Sequence, residues 1–196
     1  MNRVRVLTVL VTVVVVLAGS ILAASPALAI PITYTMTDTA TGSLGGSPFT
    51  DASLLLKMIN DTTNITGGPS LFINAGTATA SVNGGAPVTF TVAPLVFSKQ
   101  PVGVGFFDGG NILDDVSSSF ATYALATAIG PITGSPVFSS GADFPTTGGP
   151  FILDSVGSAV VFTATTATAV PEPASLVLLG IGLLGLVGLA RRKVSR

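Results

Sequence analysis

From residue 30 onward, apolar residues alternate with hydroxyl-bearing ones, the period-two pattern of strands with one buried face. Tyr34 and Met36 alternate with Thr33, Thr35 and Thr37. Ala78, Ala80 and Val82 alternate with Thr77, Thr79 and Ser81; beyond Asn83-Gly84-Gly85-Ala86-Pro87, the residues Val88, Phe90 and Val92 alternate with Thr89 and Thr91. Two such runs joined by a Gly-containing loop predict a β-hairpin. The same reading places further strands over 54–59, 71–74, 95–98, 102–107, 120–126, 136–139, 151–155 and 159–165, separated by turn clusters at 42–47, 67–69, 109–110, 130–131 and 146–150. About ten short strands so punctuated predict an all-β body, an antiparallel β-sandwich or a jelly roll-like barrel. Segments 51–59 and 118–128 fit a helix of roughly two or three turns nearly as well. No fixed-period repeat is present, which argues against a solenoid.

The pattern changes character at both ends. Residues 1–29 run from Arg3 and Arg5 through an apolar stretch at 6–17 to Ala27 and Ala29, small residues at the minus-three and minus-one places before Ile30. That order predicts a signal peptide removed by signal peptidase. The rival reading is an uncleaved anchor, since Val and Leu continue to Leu22, but Gly19 and Pro26 interrupt the run. Val4 separates the two arginines, so there is no twin-arginine pair and the general export route is favoured.

Residues 171–196 begin with Pro171, Glu172 and Pro173, continue through an uncharged apolar run at 174–190, and turn basic at Arg191, Arg192 and Lys193. Two prolines around one residue fix φ twice and remove two backbone donors, holding the triplet extended. The apolar run gives a helix of about 26 Å, at the short end of what spans a bilayer. The basic end stays cytoplasmic by the positive-inside rule, which puts the rest of the chain on the far side of the membrane. Gly182, Gly185 and Gly188 recur every third residue, and no pair has the four-residue spacing of the GxxxG dimer motif.

This C-terminal order resembles the PEP-CTERM sorting signal of Gram-negative bacteria, which a membrane-embedded exosortase recognises. The resemblance implies that Pro171, Glu172 and Pro173 are the recognition motif, 174–190 the transmembrane helix, and Arg191, Arg192 and Lys193 the basic stop. It implies further that the tail is removed, that the body is released or handed to the cell surface, and that exopolysaccharide is a partner there. An ordinary tail anchor with an accidental Pro-Glu-Pro is the alternative.

Between these ends lies one domain, 30–170. The chain of 196 residues is 48% hydrophobic and 9% charged, with a mean hydropathy of +0.76 typical of a membrane protein, yet this hydrophobicity is concentrated at the termini. The body holds 22 Thr, 14 Ser and 18 Gly, so hydroxyls rather than charges keep it soluble. Lys57 and Lys99 against eight aspartates leave the body at −6, whereas the whole chain is at −1. A body so acidic repels phosphate backbones, which excludes nucleic acid as a partner. With no Cys, an exported domain of this size is stabilised by its core without disulfides.

Candidate chemistry is sparse. The absence of His and Cys removes serine triads, cysteine nucleophiles, and the usual zinc and haem sites. Paired aspartates of a glycosidase, or a Ser-Lys dyad on Lys57 or Lys99, are what remains for a hydrolase. The one local cluster is Asp108, Asn111, Asp114 and Asp115 on a Gly-rich stretch, an oxygen set suited to Ca²⁺ and the sole cofactor to weigh. Gly110 and Ile112 break the EF-hand spacing, Ile112 also breaks the calcium-binding nonapeptide, and a solvated turn is the favoured reading of the cluster. Asn60-Asp-Thr62 and Asn64-Ile-Thr66 mark surface. Phe106, Phe107, Phe120, Phe138, Phe144, Phe151 and Phe162 are expected to fill the core. The expectation is a non-enzymatic structural or adhesive β domain, with a carbohydrate- or calcium-binding module and an aspartate-dependent hydrolase as alternatives.

Overall fold

A computed structural model describes residues 29–167. The expected signal peptide apart from Ala29, the Pro171-Glu172-Pro173 triplet, the apolar run and the basic end lie outside the described residues. Within them the chain is all-β, as the alternation predicts. The thirteen strands are β1 (Pro31–Leu44), β2 (Ser47–Asp61), β3 (Thr66–Gly68), β4 (Leu71–Ala75), β5 (Ala78–Val82), β6 (Val88–Thr89), β7 (Leu95–Lys99), β8 (Gly103–Phe107), β9 (Asn111–Val116), β10 (Ile129–Val137), β11 (Asp143–Thr146), β12 (Gly149–Val156) and β13 (Val160–Thr166). Every pairing is antiparallel.

The long β1–β2 hairpin is the spine. Leu44 pairs with Ser47 across Gly45-Gly46, and both glycines have positive φ, as a type I′ hairpin turn requires. Along its other edge β1 pairs first with β13, from Ile32 to Thr37, and then with β12, from Ala40 to Leu44. The predicted hairpin of β5 and β6 forms, with Thr79 opposite Thr89 and Ala80 opposite Val88. Beyond it Phe90 bridges Thr146, Thr91 N–H donates to Pro145 O at 2.9 Å and Thr147 N–H to Thr89 O at 2.8 Å. This closes β1, β2, β5, β6, β11 and β12 into a ring around Phe90, Phe144 and Phe151, and protects edges that would otherwise stand open.

A second sheet runs β3-β4-β7-β8-β9-β10. Strand β10 is the corner: Ile129 to Gly134 pair with β13 of the first sheet, Ser135 to Val137 with β9 of the second. The inward positions of both sheets form one core that includes Tyr34, Leu56, Val104, Phe106 and Phe162. Segment 51–59 is strand, because Ala52, Leu54, Leu56 and Met58 are buried with period two while Ser53, Leu55, Lys57 and Ile59 face outward. A helix would have left half of those leucines in water.

Two expectations are corrected. Segment 120–126 is not a strand but a short 3-10 turn at Ser118–Phe120 followed by irregular chain. Its carbonyls are taken by side chains instead of a ladder: Tyr34 Oη donates to Leu125 O at 2.8 Å, and Ser98 Oγ to Tyr123 O at 2.6 Å. Phe120 and Tyr123 then pack on Phe162, with ring centroids 5.7 and 6.1 Å away. The segment is a plug on the core. Among the seven expected core phenylalanines, Phe138 is half-buried against the core and Phe107 is half-buried outside it.

Candidate functional site

Strand β9 carries three of the four residues of the candidate calcium cluster, and its geometry separates them. Side chains of consecutive strand residues point to opposite faces, so Asp115 is directed to the core side, with Leu113, and Asp114 to the outer side, with Val116. Asp108 stays in the β8–β9 turn, where its N–H donates to Gly110 O at 3.0 Å. Among the described residues no group of three or more His, Cys, Asp or Glu is gathered in a way that could hold a metal ion. Asp114 and Asp115 therefore face opposite ways, and of the four residues only Asn111 and Asp114 border the same space.

Asp115 is fully buried, and neither carboxylate oxygen has a hydrogen-bond partner among the described residues. Burial pushes its carboxyl up to about 7. The side chain lies over Gly134 of β10, where a Cβ would stand 2.0 Å from Asp115 Oδ1. The glycine makes the room that the carboxyl occupies.

Asp114 is 6% exposed, and burial pushes it up to about 7 as well. Here too a glycine leaves the space: a Cβ on Gly105 would stand 2.0 Å from Asp114 Oδ1 and 2.9 Å from the Phe97 ring. The register builds the rest. Phe97, Gly105, Asp114 and Val137 form one rank across β7, β8, β9 and β10, and Lys99, Gly103, Val116 and Ser135 form the next. Both ranks carry a glycine on the same strand, so the outer face of this sheet is hollowed between side chains of β7 and β9. The hollow is a trough of about 270 Å³ with Asp114 in its wall, Asn111 at one end and Val102 and Val137 on its rim.

The sequence pattern predicts an ordinary strand over 102–107 and a turn at 109–110, with the cluster from Asp108 to Asp115 as a solvated turn or a calcium site. The signal available was Gly103-Val104-Gly105, since glycine inside a strand marks a close approach or a missing side chain. A second groove, of about 520 Å³, lies on the outer face of the other sheet between Leu55, Lys57 and Ile59 of β2 and Thr79 and Ser81 of β5. It has no buried ionisable group.

No curated protein and no solved structure matches the chain. The family model described as the PEP-CTERM protein-sorting motif matches residues 169–193, which contain the triplet, the apolar run and the basic end. Among the described residues no helix is long and apolar enough to cross a membrane. The motif implies an exported protein that is processed at the membrane and sorted by exosortase. Behind its β body the chain therefore carries the PEP-CTERM protein-sorting motif.

Proposed function

We propose that the protein is an envelope or extracellular-matrix component whose body is a non-enzymatic structural or adhesive β domain, held at the membrane in transit and then delivered to the cell surface. The observation that carries this reading is the sorting motif at 169–193 on a chain without His or Cys. Supporting it, the two buried carboxyls of the body, Asp114 and Asp115, do not face a common cleft. Retaining and inverting glycosidases need two carboxyls facing one cleft about 5–10 Å apart, and Asp114 and Asp115 lie on opposite faces of β9.

The role is tested in the native host by deleting the coding sequence and restoring either the whole chain or a chain ending at residue 167. Loss of matrix retention or surface attachment in the deletion, recovered only by the whole chain, supports an adhesive component that works at the surface. Full recovery by the shortened chain contradicts it.

A further inference from the structure

The geometry points to the trough on the outer face of β7–β10 as a binding site for one ring of a neutral, hydroxyl-rich glycan, with Asp114 as its hydrogen-bonding group. This deepens the adhesive half of the reading above.

Three features argue for a ligand rather than a packing defect. Asp114 is more than nine-tenths buried, and its Oδ1 is sealed above Gly105 without a donor. A buried polar atom left unpaired costs about 1–3 kcal/mol, and of the two buried carboxyls of β9 only Asp114 borders open space. The exposure that Asp114 retains opens into the trough whose wall it forms. The rim is also unusual for this body, since Val102 and Val137 are 46% and 43% exposed, two of the six large hydrophobic residues left in water among those described. An apolar rim around a few convergent polar groups is the general form of a small-ligand site.

The ligand class follows from charge and shape. Lys99, one of only two cations in the body, lines the same trough as Asp114. A cationic ligand meets the lysine, and an anionic one meets the aspartate on a body at −6, so a neutral ligand is the one that neither group repels. Asp114, Lys99 and Asn111 between them offer donors and acceptors, which suits hydroxyls that each donate and accept one bond. Phe97 and the rim valines present apolar surface to the C–H face of a ring. At about 270 Å³ the trough lies just below the usual range for drug-sized ligands, roughly 300–1,000 Å³, which limits it to about one ring. Because it opens on a sheet face, the remainder of a chain can run on along the surface.

The test is ¹H–¹⁵N chemical-shift titration of the full-length protein in detergent micelles with maltotetraose, cellotetraose and the N-acetylglucosamine tetramer. A cationic glucosamine tetramer and an anionic galacturonic acid tetramer serve as charge controls. The expected result is saturable shifts at residues 97–105, 111–116 and 137 with at least one neutral probe by about 10 mM, the scale of a contact of mM strength. The amides of Thr35 and Lys57 on the other sheet stay unmoved. Asp114→Ala weakens that binding at least tenfold while Thr35→Val leaves it unchanged, and the dispersed spectrum of each variant reports that it is folded. The proposal is overturned by the absence of shifts at these residues with every neutral probe, by tighter binding of either charged tetramer, or by unchanged affinity in folded Asp114→Ala. None of these outcomes bears on processing of the tail, so failure of this site and failure of the sorting reading are told apart.

Discussion

The body and the tail of this chain are built from opposite materials. Between 30 and 170 there are eight aspartates, two lysines and 36 Thr and Ser residues, and the described part of this stretch is threaded into a curled antiparallel sheet. From 174 to 190 there is no charge at all, and the cations Arg191, Arg192 and Lys193 follow at once. The difference teaches that address and residence are separated along the sequence. The tail can be read by a membrane enzyme without reference to the fold, and the strands of the body pair with one another over the whole of the described residues. Ala167 N–H, the last described residue's donor, still closes onto Pro31 O at 2.9 Å.

The largest effect expected from this division is on processing. Replacing Pro171, Glu172 and Pro173 together by alanine lets a helix extend upstream and removes the charge ahead of the membrane. Western blotting of fractions should then show the chain held almost entirely in membranes, with the body folded as before. If the body were released normally, recognition would have to lie outside the triplet.

Next in size is a break inside the body that leaves the tail untouched. Gly134→Ala sets a Cβ 2.0 Å from Asp115 Oδ1 and 2.5 Å from the backbone oxygen of Val116. Backbone cannot yield as a side chain can, so the cost is about 3 kcal/mol, the upper part of the range for overpacking. Urea denaturation should show it as a lowered midpoint at unchanged slope.

The pH dependence is the third effect. Asp114 and Asp115 titrate near 7 in the folded body, against 3.8 in the unfolded chain. Between these values the folded state holds protons that the unfolded state has lost, so stability falls as pH rises. The contribution is full below about pH 4 and is lost as pH climbs through 7. The melting temperature should therefore decline from pH 4 to pH 8, and Asp115→Asn should flatten that decline and raise the value at pH 8. A profile that rises over the same window would contradict the buried state of both carboxyls.

The smallest effect sharpens the comparison from the other side. A chain ending at residue 167 should melt within about 2 °C of the full-length protein in the same detergent, the size of shift that a neutral surface substitution gives. A drop several times larger would mean that body and tail are coupled.

Much of this body was legible because its strands are half-buried, and burial on one face writes a period of two into the sequence. Tyr34 and Met36 in β1 and Ala78 and Ala80 in β5 are buried as their alternation predicts. Segment 118–128 was not legible, because Phe120, Tyr123 and Leu125 are buried by contact with Phe162 and Tyr34, which are distant in sequence. Strand β9 was missed for a different reason. Adjacent aspartates read as a solvated turn, since carboxylates are seldom fully buried, and only the glycines on neighbouring strands make room for them. The trough depends on Phe97, Gly105, Asp114 and Val137 falling into one rank, and register across four strands is not written in any one of them. The tail reverses the case: its three parts are contiguous, so the motif stands in the sequence without a fold.

The measurement that bears most directly on the account is the intact mass of the protein recovered from membranes and from culture medium, in cells with and without the exosortase. The account predicts a body in the medium lacking the residues beyond the Pro171 region when the exosortase is present, and a full C-terminus confined to membranes when it is absent. The same full-length tail in both strains would show a plain membrane anchor and contradict sorting.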